Sequence, residues 1–138
     1  MRCICGSQKP MIYILLNIVP ILAATLAGLL FGIAYSAFAR RGRVSPAVAI
    51  TAFIAEFWLA AILAGALILA PPKGSIWTMT LGSAFVIWIG FVVPVIMTSY
   101  RFRALPNRAA LADSLHWLGV MLIQASVLRL IGLVPPPV

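Results

Sequence analysis

The chain is expected to fold as an all-α, four-helix transmembrane bundle, and three features predict this. The first is composition. Of 138 residues, 64% are hydrophobic and 9% charged, whereas a soluble domain carries about 25% charged residues. Such a chain lacks the polar side chains to cover a soluble surface. The second is run length: the apolar stretches continue for about 20 residues or more, as a spanning helix requires. The third is periodicity. In hydrocarbon only helices and closed barrels satisfy their own backbone groups. A barrel strand alternates apolar and polar residues, and these runs do not. At this length one domain is expected.

The elements follow in order. Residues 1–10, MRCICGSQKP, form a flexible N-terminal tail. Its Cys3 and Cys5 supply two thiolates with no histidine nearby, short of the four ligands of a structural zinc site. Met11, just behind the tail, is read as an alternative start of translation. Residues 11–138 make a single transmembrane domain with spans at about 11–38, 47–70, 76–99 and 111–133. The first apolar stretch is too long for the core of a signal peptide, and no cleavage site follows it.

Span one carries Ala24, Gly28, Gly32 and Ser36 at every fourth position, a ridge that lets another helix approach closely. In span two Ala52, Ala60 and Ala64 share a line with Glu56. Span three has Gly82 and Gly90, which read as further packing positions, then Pro94, which is expected to kink the helix and free a carbonyl. Such ridges serve packing within the bundle or a homodimer. Tyr35, Trp77 and Tyr100 lie near span ends, where amphipathic rings anchor at the membrane interface.

The connections suggest an orientation. Arg40, Arg41 and Arg43 lie between spans one and two, and Arg101, Arg103 and Arg108 between spans three and four. Against these six, the opposite side holds Arg2, Lys9, Lys73 and Arg129. The positive-inside rule places the arginine loops in the cytoplasm and both termini outside. The net charge of +8 is not read as a nucleic-acid surface, because the cations bracket apolar runs instead of lining a polar face. The two halves also look alike: each is a hairpin turning through an arginine-rich loop. "AEFWLAAIL" in span two can be laid against "SLHWLGVML" in span four, so a duplicated hairpin is one reading of the bundle.

The few polar residues inside the spans are the candidates for function. Asp113, His116 and Gln124 fall within one arc of span four at 100° per residue, and Arg129 points nearly opposite, free to snorkel outward. Asp113 is expected in the first turn of its helix, complementing the positive end of the dipole. Glu56 lies near mid-membrane, where an acidic group costs on the order of 3 kcal/mol. It should therefore face the bundle interior and be paired or protonated. His116 is the favoured partner, with Tyr35 or a loop arginine as others. Two readings stay open: a buried hydrogen-bond network that fixes helix register, or a protonatable relay or ligand site opening to the cytoplasm. A metal held by Glu56, Asp113 and His116 is a conceivable set, but no spacing singles it out. No metal, cofactor or catalytic residue is assigned; the lone histidine and absence of membrane cysteines give nucleophilic catalysis little support.

Three segments carry a resemblance: "GLLFGIAYSAFARR" (28–41), "WIGFVVPVIMTSYRFR" (88–103) and "LADSLHWLGVMLIQASVLRLIG" (111–132). With their Trp-x-Gly-Phe and Asp-x-x-His-Trp-Leu motifs, the chain resembles a family of small four-span bacterial membrane proteins known as a domain of unknown function. The similarity covers about residues 28–132. Where many members have Trp before the Tyr-Ser pair, this chain has Ala34 ahead of Tyr35 and Ser36. The resemblance implies a four-span fold and a bacterial inner membrane, and no activity. The expected function is a small integral membrane protein that associates through its helices, as a homo-oligomer or an accessory subunit. The alternative is a small oligomeric transporter or channel built on Glu56 and His116. The bilayer is the one partner assigned outright.

Overall fold

In the computed structural model, residues 12–39, 44–71 and 73–137 are described. They hold four helices long and apolar enough to cross a membrane: Ile18–Phe38, Pro46–Leu69, Ile76–Phe102 and Asn107–Ile131. The chain is thus a multi-pass, all-helical membrane protein of the four-helix bundle class. Cys3, Cys5, Met11 and the first arginine cluster, Arg40, Arg41 and Arg43, lie outside the described residues.

Helix α1 (Ile12–Leu16) and helix α2 (Ile18–Phe38) form the first span, with a discontinuity at Asn17. Pro20 lacks the N–H that would bond the carbonyl of Leu16, which loosens the turn there. Helix α3 (Pro46–Leu69) starts with Ser45 as N-cap, its hydroxyl accepting from the Val48 N–H at 3.3 Å. Pro46 follows at the first helical position, where its missing N–H costs nothing.

The third span comprises α4 (Ile76–Ile87), a π-helical turn (Trp88–Val92) and α5 (Val93–Phe102). The Val93 N–H reaches back to the Trp88 carbonyl, one residue further than in an α-helix. Pro94 cannot donate to Gly90 and its ring would crowd that carbonyl, so the widened turn just before it absorbs the misfit. The disturbance expected at Pro94 therefore takes the form of a π turn. Helix α6 (Asn107–Ile131) stops at Gly132, whose φ of +91° favours glycine.

Two boundaries differ from the sequence expectation. The third helix runs past Ser99 to Phe102, and the fourth begins at Asn107 instead of Leu111. Counting apolar residues truncates a helix at its first charge, whereas the backbone continues helical beyond the hydrocarbon. Asp113 therefore does not stand in the first turn as expected: it lies in the second turn of α6, and the first turn holds no acidic residue.

Helix α6 is the hub, packing against α2, α3, α4 and α5, while α2 packs against α3 and α6. Both hairpins are present but are not packed alike: the first span lies along both α3 and α6, and the third leans mainly on α6. Ile21, Leu63, Ala64, Met121, Ala125 and Leu128 are fully buried at the centre. The outer surface is hydrocarbon-like, with Phe38, Leu69, Phe91 and Leu130 largely exposed. The third span is the least enclosed, with 11% of its apolar window buried against 33% for α6. Gly82 and Gly90 face open space, so they do not serve packing within this bundle as their spacing suggested. Thr80 and Ala84 take the buried positions instead.

Candidate functional site: a buried polar centre

Glu56 is 3% exposed and Gln124 fully buried, although both sit among apolar residues, Glu56 near the middle of α3 and Gln124 in the last third of α6. What makes room for them is Gly28 on α2. A Cβ at Gly28 would overlap Glu56 Oε2 and lie 3.0 Å from Gln124 Nε2 and 3.2 Å from Val120 Cγ1. The carboxyl and the amide thus share a notch that exists because position 28 has no side chain. Gln124 Nε2 donates to the backbone carbonyl of Glu56 at 3.2 Å, tying α6 to α3 at the level of the carboxyl. Among the described residues, Glu56 Oε2 and Gln124 Oε1 are buried without a hydrogen-bond partner.

One turn toward the arginine-loop end, the same ridge meets His116. The position of a Cβ on Gly32 is 3.5 Å from His116 Cε1 and 3.8 Å from Glu56 Oε1, so both side chains converge on one face of α2. The half-buried imidazole sits within a set of rings. Phe31 stacks on it with centroids 5.9 Å apart, and Tyr35 lies tilted at 4.8 Å. The Tyr35 hydroxyl donates to the carbonyl of Ala112 at 3.1 Å. These rings cover Glu56 from the arginine-loop end. In the other direction along the bundle lie Ile21, Leu63, Ala125 and Leu128, all fully buried. The polar centre is therefore capped by polar aromatics on one side and by an apolar plug on the other.

The stripe expected on α6 divides. His116 and Gln124 turn to α2 and α3, but Asp113 receives a hydrogen bond from the Tyr100 hydroxyl of α5. A stripe of roughly 80° is wide enough to meet two neighbours, and α6 packs against α2 and α3 as well as against α5. Tyr35 and Tyr100, read as interface anchors, both bind groups on α6. No group of three or more His, Cys, Asp or Glu side chains among the described residues could hold a metal ion. Arg129 is exposed.

Two polar contributors and one ring stand outside the residues expected from the sequence. Trp88 Nε1 donates to the Ser114 carbonyl at 2.7 Å, which pins the π turn to α6. Phe31 supplies the stacking face for His116. Asn17, fully buried, donates to the carbonyls of Tyr13 and Val134, each at 2.8 Å, and accepts from the Val134 N–H at 2.7 Å. An amide inside an apolar span was a visible signal for Asn17; nothing local marked the other two.

No family model matches the chain, and comparisons with curated proteins and with solved structures returned no match either.

Proposed function

We propose that this is a small protein of the bacterial inner membrane that acts through helix–helix association, as a homo-oligomer or an accessory subunit, without catalysis of its own. In this reading both termini face outward and the arginine loops face the cytoplasm, and the chain is a member of the four-span family it resembles. The observation that carries it is the third span. Little of that helix is buried, and on it Gly82 and Gly90 face outward with nothing within 4 Å of where a Cβ would stand. Bare backbone on a lipid-facing helix is what close helix–helix approach in a bilayer uses. Cysteine at Gly82 or Gly90 is expected to cross-link in native membranes, to a second copy or to a larger partner. Cysteine at Leu26, exposed on α2, is expected not to. A chain that stays monomeric and cross-links to nothing from either glycine overturns the proposal.

A second reading has its own support. A small oligomeric transporter or channel would use Glu56 and His116 as a protonatable site, and the partnerless oxygens of Glu56 and Gln124 favour it. The apolar plug below Glu56 means that such a pathway would need an oligomer or a second conformation. Absence of proton, ion and solute flux in liposomes counts against it.

A further inference from the structure

We propose that the notch between Gly28, Glu56 and Gln124 is a proton-binding site: a proton resides on the Glu56 carboxyl, and the resulting O–H donates to Gln124 Oε1. The inference is independent of the association reading, and it deepens the transport reading by naming what the site would carry.

Among the described residues, two buried oxygens, Glu56 Oε2 and Gln124 Oε1, have no hydrogen-bond partner. With the carboxyl ionised, both are acceptors only. Turning the amide over would bring an N–H to the carboxyl but set Oε1 against the Glu56 backbone carbonyl to which Nε2 now donates, acceptor against acceptor. The amide orientation is thereby fixed. At the notch Glu56 Oε2 and the Gln124 amide, through Nε2, both stand against Gly28; Oε1 belongs to that same amide, and a proton on the carboxyl is the smallest donor that would satisfy both acceptors. A metal cation is a poorer fit, since Mg²⁺ or Ca²⁺ takes about six or more oxygens and the notch offers two without partners. The surrounding helical carbonyls are engaged in their own ladders.

The groups facing Glu56 are few. From α2 come the Gly28 and Gly32 backbone and, beyond them, Tyr35; from α6 come His116 and Gln124. Asp113 is engaged by Tyr100 on α5, and Arg40, Arg41 and Arg43 lie outside the described residues. The competing arrangement is an ionised Glu56 paired with a protonated His116. It would leave Gln124 Oε1 without a donor.

The test is unusually clean because Glu56 is the sole glutamate in the chain and Asp113 the sole aspartate. The full chain is synthesised with glutamate carrying a ¹³C side-chain carboxyl, placed in lipid nanodiscs near neutral pH, and examined by infrared spectroscopy. A carboxylic acid C=O band that moves with the isotope is expected, and no variant is needed to assign it. In Gln124→Leu the band should shift upward as its hydrogen bond is lost, while in Asp113→Asn it should stay. An isotope-sensitive carboxylate band without the acid band overturns the proposal, and so does an acid band indifferent to Gln124→Leu. Flux separates the two ideas. An acid band in a protein whose liposomes are silent retires transport and keeps the site, whereas a missing acid band retires the site whatever the flux.

Discussion

Gly28 and Gly32 look interchangeable in the sequence, one turn apart on the same ridge, yet their surroundings set them apart. A methyl at Gly28 would occupy the space of the Glu56 carboxyl, and the carboxyl has little freedom to retreat with Gln124 and Val120 also within 3.2 Å. Gly28→Ala is therefore expected to destabilise the bundle by about 1–3 kcal/mol, the usual cost of overpacking. Gly32→Ala meets its nearest atom at 3.5 Å, ordinary van der Waals contact, and should unfold like the parent. Thermal unfolding in mild detergent measures both. Adding Glu56→Ala to Gly28→Ala should recover part of the loss, since neighbours in contact are not additive. The sequence made Glu56, His116 and Gln124 legible because a polar side chain in hydrocarbon is expensive enough to need a reason. It also made the ridge legible through its period of four. It did not tell Gly28 from Gly32, because that depends on which side chain of another helix arrives opposite.

At the scale of elements, the third span and the turn after it show where spacing stops being informative. Gly82 and Gly90 had the spacing of a packing ridge, but the face a helix buries is decided by its neighbours, and α4 turns Thr80 and Ala84 inward instead. Pro94 announced a disturbance without saying whether it would be a bend or a π turn. After α5 the chain closes a Schellman motif: Ala104 N–H bonds the Arg101 carbonyl at 3.1 Å and Leu105 N–H the Tyr100 carbonyl at 2.9 Å. Ala104 holds the left-handed position with φ +52°, where glycine is the unstrained residue. Ala104→Gly is expected to raise stability by up to about 1 kcal/mol, the relief of the Cβ clash exceeding the added freedom of the unfolded chain. Chemical unfolding followed by helicity checks it. A loss of stability would mean that the turn does not hold this conformation.

Over the whole molecule, the two ends of the bundle are closed by different chemistry. At the arginine-loop end the closure is aromatic and polar: Phe31, Tyr35 and His116 over Glu56, with Tyr100 on Asp113 beside them. At the opposite end, Asn17 grips both backbone groups of Val134, 117 residues away in the chain, and so fastens the segment after α6 across the start of α2. Between the two lies the apolar plug, which makes the ends energetically separable. Asn17→Ala deletes three hydrogen bonds and leaves the Val134 amide and carbonyl to find other partners, a loss of about 1–3 kcal/mol if those groups stay buried. The loss should be local. Hydrogen exchange is expected to quicken at Val134 and its neighbours, while the amides around Glu56 and the Glu56 infrared band stay as in the parent, because among the described residues Ile21, Leu63 and Leu128 stand between Asn17 and Gln124 without a hydrogen bond joining the two. Quickened exchange on both sides of the plug would show instead that the bundle opens as one unit, and the one-sided character of the polar centre would then have no structural basis.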